Sequence, residues 1–418
     1  MRGITGALVL LALAAACSLP VMANALHAGA ASAIVSPPPG AFIAGDARNR
    51  RFAGVHDDLF ARAAVISDGA RDLALVVIDC IGMLHPDIEQ IRVRAAAHAG
   101  RAGLTPERIV VSSTHTHCGP DVVGIWGPDE VTSGRDALYM ERLIDAAADQ
   151  IVLAAQRLRP VTARWAAAEG DHEWVENICE PELLDRTLSI MQFVGEDGAT
   201  VATLTNFACH PTVMDGVTDQ VSSDYVVGFY RAMSEALGGE HLFLQGAIGG
   251  WVQPVKEGRG FALADQYGAS VAASALDALK SAESADAATI EFASRKLELP
   301  LENEGFKALE SIGVLTRGST ETIRTEVAWF RIGPVQFATH PGETSPMYSL
   351  QTRELMGEGP HFILGLTLDA LGYILKPDYF TDAGRKYAEY LTSMSVGPET
   401  GPRMMDALKA IIPPAPKP

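Results

Sequence analysis

Three shortages narrow the field before any motif is considered. Basic residues are outnumbered, 33 Lys and Arg against 51 Asp and Glu, for a formal net charge of −18. That sign disfavours nonspecific attraction to nucleic acid or to an anionic membrane surface, so no nucleic-acid partner is expected. Cysteine is rare, five in 418 residues, and none stands in a CxxC pair, which leaves a thiolate-type zinc site unsupported. The apolar run over residues 7–16 is well short of the roughly 20 residues that span a bilayer. No stable membrane insertion is expected from it.

What remains describes a globular chain. Hydrophobic residues make up 48% and charged residues 20%, enough to bury a large core and too little charge for extended disorder. The start has Arg2, then the short apolar run, then small residues with an Ala23-x-Ala25 pattern, the layout of a secretory signal peptide over residues 1–25. Export to a periplasm or to the medium is the expectation. Ala14-Ala15-Ala16-Cys17 also loosely resembles a lipobox, which keeps a lipoprotein open. Without Cys17, the chain retains Cys80, Cys118, Cys179 and Cys209, as disulfides in an oxidising compartment or as buried thiols. No linker and no repeat period is visible, so one domain over residues 26–412 is expected, followed by a disordered Pro-rich tail at 413–418.

Short β-branched apolar runs at 73–80 and 108–113 flank a helix-like stretch at 86–98 that opens with Pro, a strand–helix–strand unit. Further strand-like runs lie at 162–167, 187–193, 201–208, 242–244, 289–297, 326–338 and 362–368. Helical stretches fall at 138–157, 225–237, 262–281, 348–356 and 385–412. The alternation indicates an α/β fold with a large mixed sheet and helices packed on it.

Chemistry-bearing residues gather just beyond these strands. Ile109-Val110-Val111 leads into Ser112-Ser113-Thr114-His115-Thr116-His117-Cys118-Gly119-Pro120, and residues two apart in an extended segment share a face. Another strand runs into Asn206-Phe207-Ala208-Cys209-His210-Pro211-Thr212, a third into Thr339-His340-Pro341-Gly342-Glu343, and a fourth is followed by Gly372-Tyr373. Two imidazoles, a carboxylate and a phenol at carboxyl ends of strands suit a metal that accepts N and O ligands. His115, His210, Glu343 and Tyr373 are the candidate set, with zinc, one per chain, as the expected cofactor. His56, Asp79 and His340 stand near strand ends without an assigned role.

These segments resemble the neutral ceramidase family. THTHCGP is similar to the family's THTHSGP, NFACHPT to its second histidine motif, PGE to its glutamate motif, and GL followed by GYI to its tyrosine segment, in the same order along the chain. Weaker similarity surrounds Gly54-Val55-His56-Asp57, Ser223-Asp224-Tyr225 and Gln245-Gly246-Ala247-Ile248-Gly249. The resemblance implies that His115, His210, Glu343 and Tyr373 bind zinc. It further implies that His117 assists the reacting carbonyl beside the metal and that Tyr387 lines the site. It implies an amidohydrolase that cleaves the N-acyl bond of a ceramide-like lipid, the small-molecule partner expected here.

Two departures qualify the resemblance. The family's GDVSP segment reads Gly249-Gly250-Trp251-Val252-Gln253-Pro254 here, without the aspartate or the serine, which excludes a serine nucleophile at that place. The family also continues into an immunoglobulin-like domain, whereas residues 374–418 are all that follow Tyr373. A zinc enzyme acting on another amide or ester, a zinc lyase and a noncatalytic exported binding protein are the alternatives. The oligomeric state is left open.

Overall fold

The computed structural model describes residues 24–170, 172–255 and 258–414; most of the signal segment and the end of the tail lie outside these. The fold is mixed α/β, as the alternation of runs indicates. Although no repeat period is visible in the residues, the order βββαβα occurs three times once strands of two or three residues and the short helices Glu304–Ser311 and Ala388–Ser393 are set aside. The first unit comprises β1 (His27–Ile34), β2 (Phe60–Ser67), β3 (Asp72–Ile78), α1 (His85–His98), β4 (Ile109–Ser113) and α2 (Ala137–Gln156). The second comprises β5 (Arg159–Glu169), β6 (Thr187–Gly195), β7 (Thr200–Phe207), α3 (Tyr225–Leu237), β8 (Glu240–Gln245) and α4 (Phe261–Ala278). The third comprises β9 (Ile290–Pro300), β10 (Thr322–Ile332), β11 (Val335–Thr339), α5 (Pro346–Met356), β12 (His361–Leu364) and α6 (Thr400–Ile411).

Pairing repeats with the order. In each unit the first three strands form an antiparallel meander, and a helix crosses over to a fourth strand parallel to the third. The first two units join edge to edge where His27 and Ala28 pair with Pro160 and Arg159, giving eight strands that, with the short strand Glu283–Ala285 paired to β5, make one nine-stranded sheet. The third keeps its own four-stranded sheet.

Alternation along each strand then builds one central core and three outer ones. In β3, Leu75 and Val77 face the centre while Ala74 and Val76 face α1 and α2. In β10, Phe330 and Ile332 face the centre while Val327 and Trp329 face α5 and α6. Leu204 and Leu244 complete the centre from the second unit, and Phe330, Phe337 and Phe362 stack there at 4.6 and 4.4 Å. Burying each of these aromatic side chains contributes about 1.5–3 kcal/mol.

The fourth strands converge. Ser113 N–H donates to the Leu366 carbonyl at 3.2 Å and Leu368 N–H to Val111 at 2.9 Å. Gly365 N–H donates to the Gln245 carbonyl at 2.9 Å, and Ile363 N–H to the Asn206 side chain at 2.9 Å. The loops leaving β4, β7, β11 and β12 therefore open onto one place.

Several boundaries differ from the sequence reading. The run over 326–338 is a hairpin, β10 and β11, reversed at Gly333, whose φ of +59° suits the turn. The stretch over 385–412 is two helices, Ala388–Ser393 and Thr400–Ile411, separated by a segment containing Gly397 and Pro398. The Ala-rich β1 and β2 were not anticipated, since alanine is a weak strand former. They are strands because α2 packs directly on them: a Cβ at Gly29 would stand 2.2 Å from the Ala154 carbonyl oxygen. All four of Cys80, Cys118, Cys179 and Cys209 are free thiols, so the disulfide alternative is not realised in this structure.

Candidate metal centre

The strand that carries His115 ends at Ser113, and His115 then takes a left-handed φ of +70°. Its N–H donates to the Cys80 carbonyl at 2.9 Å, and its Nδ1 lies 2.6 Å from the Ile81 carbonyl oxygen. His210 is held in the same manner: its backbone N–H and its Nδ1 both reach the Val252 carbonyl at 2.8 Å. A carbonyl can only accept, so in each neutral ring Nδ1 carries the proton and Nε2 presents a lone pair. Both side chains are almost fully buried.

Those lone pairs face a carboxylate. Glu343 Oε2 lies 3.0 Å from His210 Nε2 and 3.5 Å from His115 Nε2. Burial alone would raise the Glu343 carboxyl; it is held well below the usual range only when the facing imidazoles also carry a proton on Nε2, which charges His115 and lets both rings hydrogen-bond the carboxylate. With Nδ1 as the protonated nitrogen, the three facing atoms are acceptors without a proton to share. Such a group favours a cation among them.

Tyr373 stands beside Glu343 because of strand register: Glu343–Thr344 pairs in parallel with Tyr373–Ile374, placing Glu343 opposite Tyr373. Burial first, and then the Glu343 charge, push the phenol well above its ordinary value. It stays a neutral phenol unless a cation offsets both effects. Trp251 donates its indole N–H to the Tyr373 oxygen at 2.6 Å.

His117 points to the same place. Its Nε2 is 3.3 Å from His115 Nε2, its Nδ1 is 3.3 Å from Asp215 Oδ1, and His115, His117 and His210 together could surround one ion. Gly45 makes room for the ring, since a Cβ there would meet it at 2.5 Å.

His115, His117, Glu343 and Tyr373 line one cleft, whose other walls are mostly apolar: Ile81, Val123, Ile125, Trp126, Phe306 and Leu315 among others; His210 is joined to it through Glu343. Arg317 also lines it, but its guanidinium is committed to Asp369 at 2.7 Å. The wall tyrosine is Tyr390, with its ring 6.2 Å from that of Tyr373. Burial, followed by the Glu343 charge, pushes the Tyr390 phenol up to about 12. Tyr387, expected at the site, packs its ring 4.7 Å from Trp251, the residue bonded to Tyr373, and is 46% exposed. A left-handed φ of +58° at Tyr387 starts the helix that carries Tyr390, and this local turn is what a linear alignment cannot see.

The unassigned residues stand apart from the cleft. His56 stacks on Phe261 at 3.5 Å. His340 bonds Thr352 at 3.0 Å, and burial pushes its pKa down to about 3. Asp79 is buried, accepts from Phe60 N–H at 3.0 Å, and has a pKa raised by burial to about 6.

No family model matches the chain. The neutral ceramidase of Pseudomonas aeruginosa is 23% identical over 189 residues, which is 42% of this chain and 28% of that protein. The matched region thus spans under a third of the curated relative. The crystal structure of neutral ceramidase from Pseudomonas aeruginosa superposes with a TM-score of 0.74 at 16% identity, covering 93% of this chain and 74% of that one. A ceramidase complexed with C2 gives a TM-score of 0.71 at 17% identity, covering 94% and 77%. The chain is therefore similar to neutral ceramidase in sequence over part of its length and shares its fold over nearly all of it.

Proposed function

We propose that the chain is an exported, zinc-dependent amidohydrolase that cleaves an N-acyl bond of a ceramide-like lipid. The observation that carries the reading is the approach of Glu343 Oε2, at the lining of an apolar cleft, to His210 Nε2 at 3.0 Å and to His115 Nε2 at 3.5 Å, with no Lys or Arg between them among the described residues. His115, His210 and Glu343 would hold the ion, with Tyr373 as a fourth ligand. Zinc, when bound, supplies a Lewis acid and lowers the pKa of water toward roughly 7.

The chain's own residues do the rest. The carbonyls of Ile81 and Val252 fix the two imidazoles with Nε2 turned inward. Trp251 holds the Tyr373 oxygen in place. His117, with Nε2 toward the same point and Nδ1 beside Asp215, donates to the developing oxyanion and carries a proton to the leaving nitrogen. Tyr390 offers a neutral hydroxyl at the cleft wall. Apolar walls accept an acyl chain and exclude water, which strengthens the polar contacts at the cleft's reacting end.

Hydrolysis of a different amide or an ester is the second reading, favoured by Trp251, which bonds the Tyr373 oxygen from the segment that departs from the family's GDVSP. A zinc lyase would use the same ligands. Turnover of a panel containing ceramide, shorter N-acyl amides and matched esters, with metal content measured on the same sample, decides among these. No turnover of any member by the zinc-loaded protein would remove the hydrolase reading.

Export rests on residues 1–25, with 26–412 as the domain and 413–418 as its tail. Among the described residues no helix is long and apolar enough to cross a membrane. Mass spectrometry of the exported protein is expected to show a start near Leu26, whereas an intact Met1 or a lipid on Cys17 would count against soluble export.

A further inference from the structure

We infer that Gln245 is a positioning residue for the metal centre, setting the distance between the two histidine-bearing loops. The inference rests on the zinc reading above, and none of the roles assigned so far involves Gln245. It is the last residue of β8, in the second unit, and its side chain is fully buried. Its Nε2 donates to the Thr114 carbonyl at 3.0 Å and to the Cys209 carbonyl at 2.9 Å. Its Oε1 accepts from Cys209 N–H at 3.2 Å and from Gly246 N–H at 3.0 Å. Thr114 and Cys209 are the residues immediately before His115 and His210.

One carboxamide therefore ties together the peptides that precede both metal histidines, and these belong to different units of the fold. The imidazoles are oriented locally by Ile81 and Val252, but those carbonyls fix each ring relative to its own surroundings. Among these bonds, only Gln245 joins one histidine loop to the other by a side chain. Gly365 N–H, in the loop after β12, bonds the Gln245 backbone carbonyl at 2.9 Å, which brings the third unit to the same residue. A metal requires its ligand atoms at fixed separations within a few tenths of an ångström. A tie that holds two backbones at a set spacing lowers the cost of assembling that geometry.

Asn206 supplies the control. It is equally buried and also makes four bonds, from Nδ2 to the carbonyls of Leu244, Gln245 and Ile363 and from Ile363 N–H to Oδ1. It ties strand ends and touches neither histidine-bearing peptide. A purely structural clamp should resemble Asn206, whereas a positioning residue should not.

The test uses the full chain, stripped and reloaded with zinc, with Gln245→Met and Asn206→Leu prepared alongside wild type. Zinc Kd is read by chelator competition, and the unfolding midpoint of the metal-free protein is read separately. Both variants are expected to lower the metal-free midpoint, since each leaves buried backbone groups unpaired. Gln245→Met is expected to weaken zinc by about 10- to 100-fold, while Asn206→Leu keeps the wild-type Kd. An unchanged Kd in Gln245→Met overturns the inference while leaving the zinc reading intact. Wild type that binds no zinc overturns both. Should Gln245→Met fail to accumulate, Gln245→Glu keeps the shape and the acceptor oxygen, loses the bridging donor, and carries the same expectation.

Discussion

Among the described residues, two largely buried gatherings of histidine and carboxylate could surround an ion, and they differ in one component. At the cleft, His115, His117, His210 and Glu343 meet without a protein cation among them. Near the start of α1, His85, Glu89 and Glu326 also come within reach of one point, but Arg92 Nη1 lies 2.7 Å from both Glu89 and Glu326. Arg92 supplies there the positive charge that a metal would bring, and its side chain is only 2% exposed. Proximity of acids and imidazoles is common to both clusters and does not tell them apart. What separates the two clusters is whether the fold already provides the counter-charge.

The sharpest break in that comparison is at the cleft. His115→Ala and Glu343→Ala should each lose zinc and turnover together, read by elemental analysis and by assay of the same preparation. Retention of metal in both would remove the assignment of these residues as ligands.

The second break is at the other cluster. Arg92→Met should destabilise the fold by about 3–5 kcal/mol, because Glu326 is left as an uncompensated buried charge, while the zinc Kd stays at the wild-type value. Denaturant unfolding and chelator competition read the two halves of this expectation. A variant that loses zinc as well would mean that the two clusters are coupled.

His117→Ala sharpens the roles within the cleft. It should keep most of the zinc while turnover falls about 10²-fold or more, the scale of losing one acid or oxyanion donor. If it strips the metal while His115→Ala retains it, the two histidines exchange roles. Tyr373→Phe should weaken zinc less than His115→Ala does, since three ligands remain. The smallest effects separate the two tyrosines: Tyr390→Phe should lower turnover by about tenfold, the worth of one hydrogen bond of ~1.4 kcal/mol, and Tyr387→Phe should leave it unchanged. The reverse ranking would restore Tyr387 to the site.

Much of this architecture was legible in the residues. The apolar runs that became β3, β4, β7 and β8 were visible because both faces of each strand are buried, so the runs are continuous. The motif residues were visible because they stand where strands end, and open α/β sheets place ligands there. What was hidden has physical reasons too. The threefold βββαβα order is a repetition of connection and pairing, and the residues need only keep alternation, which many sequences satisfy. β1 and β2 read poorly because close approach to α2 selects alanine and glycine over β-branched residues. The bridging role of Gln245 and the indole bond from Trp251 depend on distances between segments remote in sequence, which no local pattern encodes.

The central claim is that the cleft, and not the Arg92 cluster, holds one zinc. Titration of the metal-free chain with zinc, followed by elemental analysis after desalting, tests it most directly when wild type, Glu343→Ala and Glu89→Ala are compared. One zinc per chain is predicted in wild type and in Glu89→Ala, and none in Glu343→Ala. Metal that persists in Glu343→Ala and disappears in Glu89→Ala would contradict the account.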